Sequence, residues 1–516
     1  MAAGHPRSAE AGAAVLREGG NAVDAAVAAV LMSFAAESPL TGPGAGGFML
    51  VHTAGGEDHV LDFFVAAPGL GGGEGAGAAA APRGGRDPEA AAALVPVEIR
   101  FSADAAQVFH VGPASCGVPG TLAGVTEAAV RFGSMSLAEL CAPAARAARE
   151  GVEVTPIQGY LLDLLAPILR STPEAAALYE PGGRPIRTGE RIRLPDLGDL
   201  LERLGAQGPA TLYGGELGRE TVAFLAERGG LITHEDLTAY RVVERPPARA
   251  RYRGRDILTN PPPSSGGVLV TYALELLARI DRPGDLATLV EVMDRANEVR
   301  TGEFAAGLHA DDFLEDFMAA TAIEAHAGEV SSRLGSTTHV SVLDAEGACV
   351  SVTCSNGACS GVIVPGTGLH LNNMLGEQDL NPHGFGRQVP GRRVSSMMAP
   401  TVVLRDGRPE VALGSAGSNR LRSAILQTIL GVVDEGLGAQ EAVRRPRVHV
   451  ENGVVDAEPG VDAEALAALE HGGRAVRRWR ESNLYFGGVQ AAARDHETGE
   501  LSGGGDPRRG GAAVVV

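Results

Sequence analysis

A layered arrangement of sheets and helices is the architecture this sequence predicts, and three observations predict it. Runs with helical spacing and runs with two-residue alternation are mixed along the whole chain instead of being segregated into halves. Glycine-rich connections join them, and no repeat of fixed period appears. Apart from a Gly/Ala-rich stretch at 69–94, which reads as a mobile surface loop, no linker divides the chain. Its 516 residues suffice for two or three average domains or one large layered domain.

Taken in order, Ser8 to Leu16 has helical spacing and stops at Glu18-Gly19-Gly20. Asn21-Ala22-Val23-Asp24 then caps a long Ala/Val helix, apolar nearly all round, as a buried helix is. Gly42-Pro43-Gly44-Ala45-Gly46-Gly47 precedes a strand, Phe48 to His52. A phosphate loop would precede a helix and carry Lys-Ser/Thr, so close backbone packing explains these glycines better. Helical patterns recur at Ser136–Glu150, Gly218–Arg228, Val268–Ile280, Leu286–Arg300, Phe313–Ala320 and Leu421–Leu430. Tyr252–Leu258 and Gly368–Asn373 read as strands, and Pro400–Leu404 with Pro409–Leu413 as a hairpin about Asp406-Gly407.

The most informative stretch runs from Gly335 to Gly357. Two alternating runs flank a turn, the signature of a β-hairpin. A loop at Ala345-Glu346-Gly347, with Gly347 in the left-handed position, sets the register. Asp344 then pairs with Ala348, Ser341 with Ser351, His339 with Thr353, and Thr337 with Ser355. Val340, Val342, Val350 and Val352 share one face and the odd-numbered residues the other. A threonine hydroxyl therefore stands opposite a serine hydroxyl at the open end.

Composition narrows the function classes. A net charge of −19 lacks the Lys/Arg surplus that non-specific nucleic-acid or anionic-membrane binding uses, so neither partner is expected. Five cysteines (Cys116, Cys141, Cys349, Cys354, Cys359) form neither a disulfide framework nor a zinc motif, and no metal is expected. The first residues lack a charged segment followed by an apolar one, so no signal peptide is read. Ala25–Ala36, about a dozen residues, is too short to span a bilayer. A soluble, cytoplasmic protein is the expectation.

Ordered motifs along nearly the full chain resemble the γ-glutamyltranspeptidase family of N-terminal nucleophile hydrolases. They are Gly19-Gly20-Asn21-Ala22-Val23-Asp24-Ala25-Ala26, Gly46-Gly47-Phe48-Met49, Val118-Pro119-Gly120, Asp236-Leu237-Thr238-Ala239-Tyr240 and Pro261-Pro262-Pro263-Ser264-Ser265-Gly266-Gly267. Thr337-Thr338-His339, Leu371-Asn372-Asn373, Ser395-Ser396-Met397, Gly414-Ser415-Ala416-Gly417 and Asp506-Pro507-Arg508 complete the set.

The resemblance implies an α+β, four-layer αββα sandwich without cofactor, made as one precursor. Cleavage between Ser336 and Thr337 would give a large subunit, 1–336, and a small catalytic subunit, 337–516, which could associate further. It makes Thr337 the nucleophile and Ser355, where the family has threonine, the orienting hydroxyl. It makes the backbone N–H groups of Gly417 and Ser418 the oxyanion hole, the second position usually being glycine. It places Asn356, Glu377, Ser395 and Ser396 around the donor substrate. The chemistry suits these residue types: threonine needs an adjacent base, and its own freed α-amine, with an ordinary pKa near 8, can serve. Alone, Thr337 and Ser355 would be ordinary strand residues; the ordered motifs give them their roles.

One position breaks the pattern. The family grips the α-carboxylate of a γ-glutamyl group with an arginine in an Asp-Phe-Arg-Glu segment, and this chain reads Asp62-Phe63-Phe64-Val65. Phenylalanine cannot replace a bidentate guanidinium. Either Arg100, Arg392, Arg393 or Arg420 reaches in, or the acyl group is not γ-glutamyl. Three readings follow: a γ-glutamyltransferase acting on donors such as glutathione, an N-acyl amidase or acylase with the same mechanism, and an unprocessed, inactive binding protein. Few residues separate Glu377 from Ser395, which leaves no room for a long lid and predicts an open cleft.

Overall fold

The computed structural model describes residues 1–71, 93–100, 106–280, 285–320 and 337–516. Most of the 69–94 loop, and Ser336 of the expected cleavage pair, lie outside these residues. Helix and strand are mixed throughout. Among the described residues no helix is long and apolar enough to cross a membrane, and no cluster of His, Cys, Asp and Glu could hold a metal ion.

We number in chain order the strands of the two largest sheets. They are β1 (Ala2–Ala3), β2 (Gly46–His52), β3 (Asp58–Phe63), β4 (Val243–Arg245), β5 (Ala248–Tyr252), β6 (Arg255–Thr259), β7 (Thr338–Leu343), β8 (Cys349–Ser355), β9 (Thr401–Arg405), β10 (Arg408–Ala416), β11 (Gly488–Arg494), β12 (Leu501–Gly505) and β13 (Ala512–Ala513). The first sheet has the order β13-β1-β7-β8-β2-β3-β4 and the second β12-β11-β10-β9-β6-β5. The neighbours in both pair antiparallel.

Five helices matter here: α1 (Pro6–Arg17), α2 (Ala22–Ala36), α3 (Thr121–Phe132), α4 (Ser265–Ala278) and α5 (Arg420–Val433). The α2 helix starts at Asn21, whose side chain accepts from the N–H groups of Val23 and Asp24 while the Asp24 carboxylate returns a bond to Asn21 N–H. Every residue of α2 is buried, which its small Ala/Val side chains permit. Val27 and Leu31 share a core with Met49, Leu61, Val340, Val342, Val350 and Val352 of the first sheet. Leu269 of α4 and Ile425 of α5 share another with Ile257, Val403, Val411 and Val489 of the second. A third apolar cluster (Leu50, Val60, Leu258, Val402, Leu404, Ala412) joins residues of both sheets.

The alternation expected in the 337–357 hairpin is observed residue by residue. His339 opposes Thr353, Ser341 opposes Ser351, and Val340 opposes Val352. The odd face makes a polar seam toward the second sheet. His339 Nδ1 bonds Thr353 Oγ1 at 2.8 Å, and Nε2 bonds Ser341 Oγ at 2.9 Å. Ser341 Oγ donates to Gln490 O at 3.0 Å, and Ser351 Oγ to Leu413 O at 2.9 Å. Burial drives the His339 imidazole down to about 3, so it is neutral and structural.

Two strand expectations are corrected. Tyr252–Leu258 is not one strand but a hairpin, β5 and β6, because Arg253 (φ 48°) and Gly254 (φ 77°) form a tight turn with both residues left-handed. In Gly368–Asn373 only Leu369–His370 is strand. Asn372 is instead spent on backbone, its amide donating to the carbonyls of Gly44 and Gly117.

Candidate active site

Thr337 is the first described residue of its segment and leads directly into β7. The ladder Thr338–Cys354 carries the register to its end, so Thr337 stands opposite Ser355, the last residue of β8. Both are buried, at 6% and 3% exposure. Ser355 Oγ accepts from Gly357 N–H at 2.8 Å, which fixes its rotamer.

A cleft of about 400 Å³, its open mouth included, lies over this hairpin end, and its lining includes Thr337, Ser355, Glu377, Ser396, Ser418 and Phe64. Residues distant in sequence thus meet there: the end of the hairpin, the 374–380 turns, the 396–398 segment and the turn before α5. Gly417, Asn356 and Ser395 are not among its lining residues.

The turn before α5 has an unusual backbone. Gly417 (φ 123°) and Ser418 (φ 51°) are both left-handed. A Cβ on Gly417 would lie 3.0 Å from Gly487 Cα, so the position also admits no side chain without movement. Ser418 Oγ donates to Asp379 Oδ2 at 3.1 Å. Backbone N–H groups at such a turn, at the positive end of a 14-residue helix, suit a developing negative charge.

Asn356 is fully buried, and among the described residues both its amide atoms lack a hydrogen-bond partner. Its side chain faces the Gly42 turn, where a Cβ would stand 3.3 Å from Nδ2. Glu377 faces the cleft, with Oε1 accepting from Ala358 N–H at 2.9 Å. Ser396 is buried, its Oγ accepting from Met398 N–H at 3.1 Å. Asp379, two residues beyond Glu377, was not singled out by the sequence; desolvation pushes its carboxyl above the usual range, against the pull of Arg300.

Phe64 is entirely buried and stacks on Phe48, ring centroids 5.3 Å apart. It belongs to an apolar cluster with Val65, Met374, Leu375, Val394 and Met398. None of the four arginines considered lines the cleft. Arg393 is held by Asp62 (3.1 Å) with its guanidinium 4.4 Å from the centroid of the Tyr240 ring. Arg420 is buried with its guanidinium 4.7 Å from the Tyr485 centroid. Arg100 pairs with Glu98 in a separate two-stranded sheet, and Arg392 is exposed. Among the described residues the cleft has carboxylates and apolar walls but no cation.

Behind Thr337 sits a second group that sequence reasoning missed. Glu37, 4% exposed, accepts from Ser8 Oγ at 2.9 Å and from Thr338 Oγ1 at 2.5 Å. Burial pushes its carboxyl up to about 7, although Thr338, Ser8 and Arg509 pull the other way. Glu37, Thr337, Thr338, Gln158 and Arg509 line one small enclosed space. The available signal was an acid at the C-terminal end of a largely apolar helix.

Hydroxyl, carboxylates and turn amides over the mouth of one sheet are equipment for acyl transfer. The chain belongs to the γ-glutamyltranspeptidase family, whose model, Gamma-glutamyltranspeptidase, matches residues 8–516. It is therefore an enzyme of the N-terminal nucleophile hydrolase kind. It is 34% identical to an acylase, "Acylase ACY 1 proenzyme" of Pseudomonas sp. (strain SE83), over 99% of this chain and 92% of that protein. It is 29% identical to "Glutathione hydrolase proenzyme" of Bacillus subtilis (strain 168), over 100% of this chain and 91% of that one. The solved cephalosporin acylase from Bacillus halodurans superposes with a TM-score of 0.81 at 26% identity, covering 100% of this chain and 95% of the other.

Proposed function

We propose that this chain is a self-processing acylase that uses Thr337 to hydrolyse, or transfer the acyl group of, an N-acyl amide whose acyl portion carries no α-carboxylate. The observation that carries the reading is Phe64, stacked in the wall of a cleft lined by no arginine among the described residues. A carboxylate buried there without a cation would cost several kcal/mol. The acylase relatives support the same choice.

In this reading the fold is a four-layer αββα sandwich, supported by two sheets with a shared core between them and helices packed on each. The Thr337 hydroxyl first attacks the Ser336 carbonyl. The peptide bond becomes an ester, and water opens it to fragments 1–336 and 337–516. The freed α-amine of Thr337 then takes the hydroxyl proton as the oxygen attacks the substrate amide carbon. Ser355 orients that oxygen from across the ladder. The N–H groups of Gly417 and Ser418 hold the developing oxyanion, a contribution of roughly 3–4 kcal/mol for such donors. The proton passes to the departing amine, and water releases the acyl group.

A denaturing gel and two substrates test the proposal. The purified protein should show two fragments and hydrolyse an apolar acyl anilide faster than a γ-glutamyl anilide. Thr337→Ala should leave one chain without turnover; processing in that variant would overturn the nucleophile assignment. The γ-glutamyl reading keeps one supporting observation, the Glu377 carboxylate in the lining of the cleft, and a faster γ-glutamyl reaction would restore it.

A further inference from the structure

A second cleft, of about 990 Å³ with its open mouth, shares no lining residue with the acyl cleft. Leu40 and Glu37 face the catalytic hairpin, Leu40 O accepting from Asn356 N–H at 3.0 Å, whereas Ser38, Thr41, Gly42 and Pro43 line the second cleft. Its walls are largely apolar, with Phe34, Leu197, Ile363 and Pro365 among them. The lining fits a small-molecule site, which is mostly apolar with few placed polar groups.

Those polar groups are present. Ser38 Oγ and Tyr179 OH share a hydrogen bond of 2.7 Å, and Tyr179 OH meets His370 Nδ1 at 3.2 Å. That chain of bonds ends at His370 Nε2, which has no partner among the described residues; neither has Thr41 Oγ1. Thr41 is 1% and His370 6% exposed, and both line the cleft. Two unsatisfied polar atoms at such depth are costly unless something meets them. Burial lowers the His370 imidazole to about 4, so it offers a neutral partner. Half-buried Glu174 and exposed Asp196 supply negative charge, with no arginine among the lining.

We propose that this cleft is a ligand site separate from the acyl site, for a small, mainly apolar organic molecule with a neutral hydrogen-bonding group at one end and a basic amine at the other. The apolar body fills the Phe34–Leu197–Ile363 walls, the neutral group reaches Thr41 and His370, and the amine lies between Glu174 and Asp196. No acyl chemistry is involved, so the site stands or falls independently of Thr337.

Calorimetry with three simple probes of one apolar body tests the charge preference: 4-phenylbutylamine, 4-phenylbutanol and 4-phenylbutyrate. The amine should bind saturably and about tenfold or more tightly than the acid, with the alcohol between them. Ala177→Trp, at an exposed position of the lining, should weaken all three about tenfold while anilide hydrolysis stays at the wild-type rate. The double variant Glu174→Gln/Asp196→Asn should bring amine and alcohol to equal affinity. The proposal is overturned if no probe saturates, if the acid binds as tightly as the amine, or if Ala177→Trp binds like wild type. Should Ala177→Trp fold poorly, the double variant alone decides: an undiminished amine preference there overturns the site as well.

Discussion

The proposed choice of acyl group rests on Phe64. Its ring stacks on Phe48 and belongs to one apolar cluster with Met374 and Met398. Phe64→Arg should therefore raise the ratio of γ-glutamyl to apolar-acyl hydrolysis by about tenfold or more, the worth of one charge-assisted hydrogen bond. Phe64→Leu, which keeps the cleft apolar, should leave that ratio unchanged; a rise in both variants would mean that ring size, not charge, sets the preference. Glu37 governs a pH effect of definite sign. Its folded pKa of about 7 lies above the ordinary 4.5, so the folded state holds the proton more tightly than the unfolded one. Its stabilising contribution is intact below about 4.5 and is lost as pH rises toward about 7. Glu37→Gln should lack this loss and gain stability relative to wild type at pH 8, by up to about 3 kcal/mol. Melting curves at pH 5 and 8 check both statements.

At the scale of elements, the hairpin and the turn before α5 form the proposed catalytic frame, and they differ in how they are held. The hairpin is fixed by a long ladder and a polar seam buried on both sides. The turn is fixed by two left-handed residues and a close backbone approach. Gly417→Ala adds a Cβ where φ is 123° and Gly487 Cα stands 3.0 Å away, so the N–H groups must shift. Turnover should fall about 10²-fold or more, as when an oxyanion donor is lost, with the melting temperature reporting whether the remaining fold holds. Unchanged turnover would remove Gly417 and Ser418 from the oxyanion site.

These two elements also mark what the sequence could reveal. The hairpin register was legible because period-two alternation and a glycine turn are local signals. Arg253 hid a turn because nothing in an arginine announces a positive φ. Asp379 and Glu37 escaped notice because their importance comes from groups far along the chain, Ser418 for one and Thr338 and Ser8 for the other. Arg393 was a candidate for the cleft until Asp62 and Tyr240 were seen to hold it.

For the whole molecule, the sheets are woven from both sides of the expected cleavage point. In the first sheet β1 of 1–336 lies between β13 and β7 of 337–516, and β8 of 337–516 pairs with β2 of 1–336, so the two segments are interleaved. In the second, β6 of the first part pairs with β9 of the last. Fragments produced by processing should therefore elute together from a sizing column in native buffer and separate only in denaturant. Separation without denaturant would contradict the strand order.

The amino group of Met1 donates to Val514 O at 2.7 Å, and burial lowers its pKa to about 6. All 44 of the Lys+Arg residues are arginine. A chain with no lysine offers amine-reactive reagents no side-chain amine. Breakage ahead of Thr337 would create a new primary amine inside the acyl cleft, so a covalent tag on that one nitrogen would count processed molecules and block their chemistry in the same step.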